Sequence, residues 1–95
     1  MNKKEIITKI NANKVQIKRL GVKKIGLFGS FVKNKQHKKS DVDILVEFKQ
    51  INFDNYMDTL FLLEKLFKRK VDLIIQKNLR PELKYVEKET EYVGL

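Results

Sequence analysis

The chain contains no cysteine. That excludes a disulfide framework and any thiolate zinc site, and makes a reducing, cytoplasmic setting the expectation. No apolar run approaches the roughly 20 residues that a membrane-spanning helix requires, and no signal-type apolar core follows Met1-Asn-Lys-Lys-Glu5. Repeats, low-complexity tracts and flexible linkers are also missing. Acidic residues are nearly absent from the first 40 positions, where twelve Lys/Arg stand against Glu5 alone, a charge of +11. Residues 41–95 hold nine basic and eleven acidic residues, a charge of −2. A basic half suits a polyanion, a nucleotide or an acidic partner protein. The lysines are scattered without interleaved aromatics, so most are expected to be solvated surface, and direct nucleic-acid binding is not expected. The length of 95 residues predicts one domain, 1–95, with a core able to fold and no room for a second, substrate-holding domain.

Periodicity predicts a small α/β (α+β) domain, a mixed sheet with helices packed on it in the order α-β-α-β-α-β-α. Ile6, Ile7, Ile10, Ile17 and Leu20 recur at helical spacing across 3–20, with Asn11-Ala-Asn13 as an interruption and Gly21 as a stop. A strand is expected over 22–28, then Ser30 as the N-cap of a one-turn helix through Lys33, with Asn34 in a left-handed conformation. Lys35–Ser40 forms a polar loop, and Asp41–Phe48 the second strand. Asn52 caps a helix over 53–67, whose stripe of Phe53, Tyr56, Met57, Leu60, Leu63 and Phe67 is expected to face the core. Lys68-Arg-Lys70 suits its C-terminus. Val71–Ile75 is a third strand, and Pro81 opens a last helix to Glu89.

Two carboxylates interrupt the apolar run Asp41-Val-Asp-Ile-Leu-Val46. Alternation places Asp41, Asp43 and Leu45 on one face of the strand, and Val42, Ile44 and Val46 on the other. Carboxylates at i and i+2 leave one face roughly 7 Å apart at the backbone and can converge on shared hard cations, which prefer oxygen ligands. Two such ions can clamp the attacking and leaving oxygens of a phosphoryl group. Asp72, the only acid in Val71-Asp-Leu-Ile-Ile75, is the candidate third ligand if its strand lies beside 41–48. Upstream, Gly29-Ser30 at a strand-to-helix turn can cradle terminal phosphates, since glycine admits close backbone approach and the exposed N–H groups bind phosphate oxygens. Structural alternatives exist for each acid. Asp41 can cap a strand, Asp43 can pair with a lysine, and Asp72 can pair with Arg69 or Lys70. His37, alone in a polar loop, has no evident role. Lys33, Lys35, Lys38 and Lys39 flank the site, either steering phosphates or simply solvating the loop.

Gly29-Ser30, ten residues and then Asp41-Val42-Asp43 resembles the G-S-x10-D-x-D signature of the DNA polymerase beta nucleotidyltransferase superfamily, in its minimal MNT branch. Ile44-Leu-Val-Glu-Phe48, Arg69-Lys-Val-Asp-Leu73 and Leu79-Arg-Pro-Glu-Leu83 carry the resemblance from about Gly21 to the C-terminus. It departs at Asn34, where many members have Gly, and near Lys33, where they often have Arg. The resemblance implies that Asp41 and Asp43 bind two magnesium ions, that Asp72 shares one of them, and that Gly29 and Ser30 contact the β- and γ-phosphates. It further implies AMP transfer from ATP, and a partner, since no second domain holds the acceptor. Similarity to MNT antitoxins implies that the partner is a HEPN-type RNase toxin silenced by AMP transfer onto its tyrosine. A homo-oligomer is the other source of an acceptor surface. The alternative reading is a non-catalytic antitoxin that neutralises its partner by contact.

Overall fold

Asn2 opens the chain's first helix by accepting a hydrogen bond from the Glu5 backbone N–H at 2.9 Å, which satisfies one of the donors a helix start leaves unpaired. The computed structural model describes residues 1–95. Helix α1 spans Lys3–Ala12 and α2 spans Lys14–Arg19, broken at Asn13 as expected. Strand β1 (Val22–Phe28) leads into a single 3-10 turn, Gly29–Phe31, and β2 runs Val42–Phe48. Helix α3 covers Phe53–Phe67 behind a capping box of Asn52 and Asn55, and Lys68 closes it in a left-handed conformation. Strand β3 is Val71–Ile75. No helix is long and apolar enough to cross a membrane.

The four-stranded sheet has the order β3-β2-β1-β4. Strands β1 and β2 are antiparallel, while β2 and β3 are parallel and joined by α3. Ile25, Leu27, Val42, Ile44, Val46, Val71 and Leu73 lie in register on one face, packed against Ile6, Ile10 and Ile17 from α1 and α2 and Leu63 and Phe67 from α3. A register shift between Val22 and Lys24 turns Val22 onto the same buried face as Ile25, as a bulge residue does. The opposite face carries Asp43 beside Asp72, and Leu45 beside Gly26 and Ile74.

Four features differ from the sequence expectation. The expected final helix is split into a 3-10 turn at Pro81–Leu83 and a short α4, Tyr85–Glu89. A fourth strand, β4 (Glu91–Val93), follows and pairs with β1. It fits because Gly26 leaves a gap: a side chain there would collide with the Thr90 methyl and press on Tyr92. On α3, Phe53 is 76% exposed rather than core, and Thr59 is buried in the helix instead, its hydroxyl bonded to Asn55 O. The predicted stripe fails at its first member: Leu63 and Phe67 are buried and Tyr56 and Leu60 pack on the core, while Phe53 lies at the start of α3 on an open hollow beside Ile74 and Ile75.

Strand β3 is a sheet edge, yet α3 covers part of it. The Tyr56 hydroxyl donates to Leu73 O at 2.9 Å, and Val71 N donates to Glu64 Oε2 at 3.3 Å. Such side-chain cover blunts an edge that could otherwise recruit another strand. Tyr56→Phe strands the Leu73 carbonyl and is expected to cost about 1 kcal/mol, read as a lower midpoint in urea with an unchanged m-value.

Candidate active site

The acids meet at the end of the sheet where β1 stops and β2 and β3 begin. Parallel register sets Asp43 directly beside Asp72, while Phe28 is opposite Asp43 on its other side. Neighbouring strands lie about 4.8 Å apart, so two carboxylates share one small area of the face. Asp41 lies one residue before β2 rather than inside it, and is exposed; Asp43 is half-buried and Asp72 is exposed. Burial, then the charges of Asp72 and Asp41, raise the Asp43 carboxyl from 3.8 to about 6, and the facing Ser30 backbone N–H only partly opposes them. None of the three acids forms an ion pair with a protein cation; the four ion pairs present lie elsewhere. The alternatives in which Asp43 pairs with a lysine or Asp72 pairs with Arg69 or Lys70 are therefore not realised.

Gly29 is pressed against this cluster. It has φ +76°, and a side chain there would run into the Asp43 carboxylate. Both facts require glycine, the first by backbone sterics and the second by space. The following turn differs from the expected form. Ser30 does not cap it; Phe28 flanks it without a side-chain bond, and Val32 and Lys33 N–H both bond to Gly29 O at 3.2 Å. The turn begins one residue earlier than expected, at Gly29, so Ser30 lies inside it rather than at its start. Phe31, buried, anchors the turn in the core instead. Asn34 takes the left-handed conformation expected of it, φ 57°. Lys33 is drawn to Glu89 at 3.4 Å, a half-exposed pair.

An oxygen-only donor set with crowded negative charge and no protein counter-ion fits hard divalent cations. No three such side chains converge closely enough to close a metal site by themselves. That also fits magnesium, which is usually held by one or two carboxylates with substrate phosphates and water completing the shell. Around Asp41 a polar pocket of about 220 Å³ is lined by Lys38, Lys39, Lys68 and Lys70. Larger hollows near Glu47, Ile51 and Ile75 lie at the opposite end of β2 and β3, away from the acids.

Residues 6–93 match the family model described as a nucleotidyltransferase domain. The chain belongs to that family. It is 37% identical over 92 residues to the protein adenylyltransferase MntA of Thermococcus cleftensis, covering 94% of this chain and 93% of that one. It is 40% identical over 91 residues to a protein of Methanocaldococcus jannaschii assigned as a protein adenylyltransferase, covering 93% and 87%. Among solved structures it superposes on one assigned as a minimal nucleotidyltransferase, with TM-score 0.83 and 25% identity over 100% of this chain and 97% of the other. A toxin–antitoxin structure with AMP-PNP has TM-score 0.69 at 22% identity, covering 99% and 73%, and supports the fold alone. The α/β fold expected for a nucleotidyltransferase is thus confirmed in this family member, with β4 added to the predicted order.

Two residues at the site were not singled out in the sequence. Phe31 is legible in retrospect as a large apolar side chain directly after Gly-Ser. Arg69 stands in the sequence as a helix-end base, as a possible ion-pair partner of Asp72 and as part of Arg69-Lys-Val-Asp-Leu73, but its contacts are with the Lys38 and Ser40 carbonyls of the preceding loop.

Proposed function

We propose that this nucleotidyltransferase moves AMP from ATP onto a hydroxyl of a partner protein. The observation that carries the reading is the Asp43–Asp72 pair, in register on one face and uncompensated by any protein cation, beside a Gly29 turn that touches the same carboxylate. Relatives along nearly the whole chain are protein adenylyltransferases by name, which favours a protein acceptor.

Asp41 and Asp43 would hold two magnesium ions, with Asp72 shared on the acceptor side. Bound magnesium would neutralise the phosphate oxygens and lower the barrier to attack at phosphorus. Gly29 N–H and the Ser30 hydroxyl would hold the terminal phosphates, while the Ser30 backbone N–H stays on the Asp43 carboxylate. The acceptor hydroxyl would approach from the exposed Asp72 side. Its oxygen attacks the α-phosphorus, the bond to pyrophosphate breaks, and the hydroxyl proton leaves to water, to which Asp72 is open. The chain would act in the cytoplasm.

The partner that suits this reading is a HEPN-domain toxin, with a tyrosine as the acceptor. One structural neighbour is a tri-AMPylated HEPN toxin in complex with an MNT antitoxin. Mass analysis of a HEPN-domain protein, produced with this chain and without it, tests the reading. A mass gain of whole AMP units on a tyrosine, present only with this chain, is expected. An unmodified partner that is nevertheless held in a tight complex would favour neutralisation by contact.

A further inference from the structure

Asp41 stands outside the strand, exposed, yet a metal ligand must be held to within a fraction of an ångström. Its own side chain makes no hydrogen bond that could do this, so its flanks must. Ser40 O accepts from Arg69 Nη1 at 3.3 Å, and Lys38 O accepts from the same nitrogen at 2.7 Å. On the other side, Val42 N donates to Lys70 O at 3.0 Å. The residues before and after Asp41 are therefore both tied to the two-residue segment Arg69-Lys70. The 37–40 turn adds local closure, with His37 N donating to Ser40 Oγ at 2.8 Å and Ser40 N to His37 O at 3.1 Å.

The same guanidinium lies over the ring of Phe31, 5.6 Å from its centroid. Phe31 is the buried anchor of the Gly29–Ser30 turn. Two residues beyond Lys70 comes Asp72. Arg69 thus touches the loop that presents the first acid and the turn that holds the phosphates, and sits three residues from the third acid. We infer that Arg69 is a positioning residue: it clamps the 38–40 loop so that Asp41 reaches the metal shared with Asp43 and Asp72. The inference rests on the nucleotidyl-transfer reading and adds a residue that the motif acids do not include. Lysine cannot reproduce the clamp by charge alone, because its ammonium has no planar face to lie over the Phe31 ring while a nitrogen of the same group bonds both carbonyls.

The test uses the full chain with Mn²⁺ and a non-hydrolysable ATP analogue, reading Mn²⁺ affinity by electron paramagnetic resonance and amide exchange over 37–42. Arg69→Gln and Arg69→Lys are both expected to weaken Mn²⁺ by roughly ten- to a hundredfold, as loss of an outer-shell partner does. Exchange over 37–42 should rise, with protection elsewhere in the sheet unchanged. On an Asp41→Asn background the Arg69 effect on Mn²⁺ should vanish, because the clamp then has no ligand to place. Wild-type affinity in Arg69→Lys would show that charge alone matters and would overturn the clamp. Weaker analogue binding with unchanged Mn²⁺ affinity would place Arg69 on the nucleotide instead. Failure of the wild-type protein to take up Mn²⁺ with the analogue would instead remove the nucleotidyl-transfer reading beneath it.

Discussion

An Asp41→Asn/Asp43→Asn double variant is expected to fold, to melt above the wild-type protein in the absence of metal, and to lose nucleotide transfer by at least about a thousandfold. The two effects share one cause. Asp43 is held half-buried between like charges, and its carboxyl is raised from 3.8 to about 6. The folded protein therefore binds that proton more tightly than the unfolded chain does. Below pH 4 the group is protonated in both states and costs nothing; from pH 4 to 6 the penalty grows, and above pH 6 it is fully present. Asparagine keeps the size and removes the charge. After discounting for solvent screening around a half-buried group, the gain near pH 7 is about 1–2 kcal/mol, a rise in Tm of several degrees. Divalent metal with nucleotide should supply the same relief to the wild-type protein, so chelation should lower its Tm at pH 7 and have much less effect below pH 4. Thermal scans of wild type and variant across pH 4–8, with and without chelator, read all of this. A variant that melts below the wild type at pH 7 would show that the acids are structural.

Gly29→Ala is expected to be the most damaging single methyl addition in the chain. The backbone there has φ +76°, and the new methyl would meet the Asp43 carboxylate. Left-handed strain in a residue other than glycine costs about 1–3 kcal/mol, and the collision can be relieved only by moving the turn or the acid. Either movement displaces phosphate cradle and metal ligands relative to each other, and a shift of about 1 Å is enough to cost roughly a hundredfold in rate. Loss of transfer should therefore exceed the loss of stability, as measured by transfer per folded molecule after thermal unfolding has been used to quantify the folded fraction. Gly94→Ala, at a position where an added methyl meets nothing within 4 Å, is the matched control and should change neither quantity.

The features of this chain that were readable in sequence are those set by nearest neighbours. The break at Asn13, strands β1 and β3, the Asn52 cap, the left-handed Asn34 and the end of α3 each follow from a local pattern or a single residue's preference. The acids were readable because charge inside an apolar strand demands explanation, and the parallel register then placed Asp72 beside Asp43 as anticipated. What was not readable depends on distant contacts. Strand β4 is three residues long and owes its place to the missing side chain of Gly26, 65 residues before it. Phe53 matches the helical stripe but lines an open hollow beside Ile74 and Ile75 and stays exposed. Ser30 is a residue type that favours caps, but the turn starts at the left-handed Gly29 and leaves Ser30 inside it. The clamp by Arg69 joins segments that no periodicity relates.

The central claim is that this chain breaks ATP between its α- and β-phosphates and leaves the nucleotide on a protein. Parallel reactions with ATP labelled at the α- or at the γ-phosphate, with magnesium and the HEPN partner, measure this directly. Label should reach the partner from the α-position alone, and the Asp41→Asn/Asp43→Asn variant should transfer none. Label arriving from the γ-position, or undiminished α-label transfer by the double variant, would contradict it.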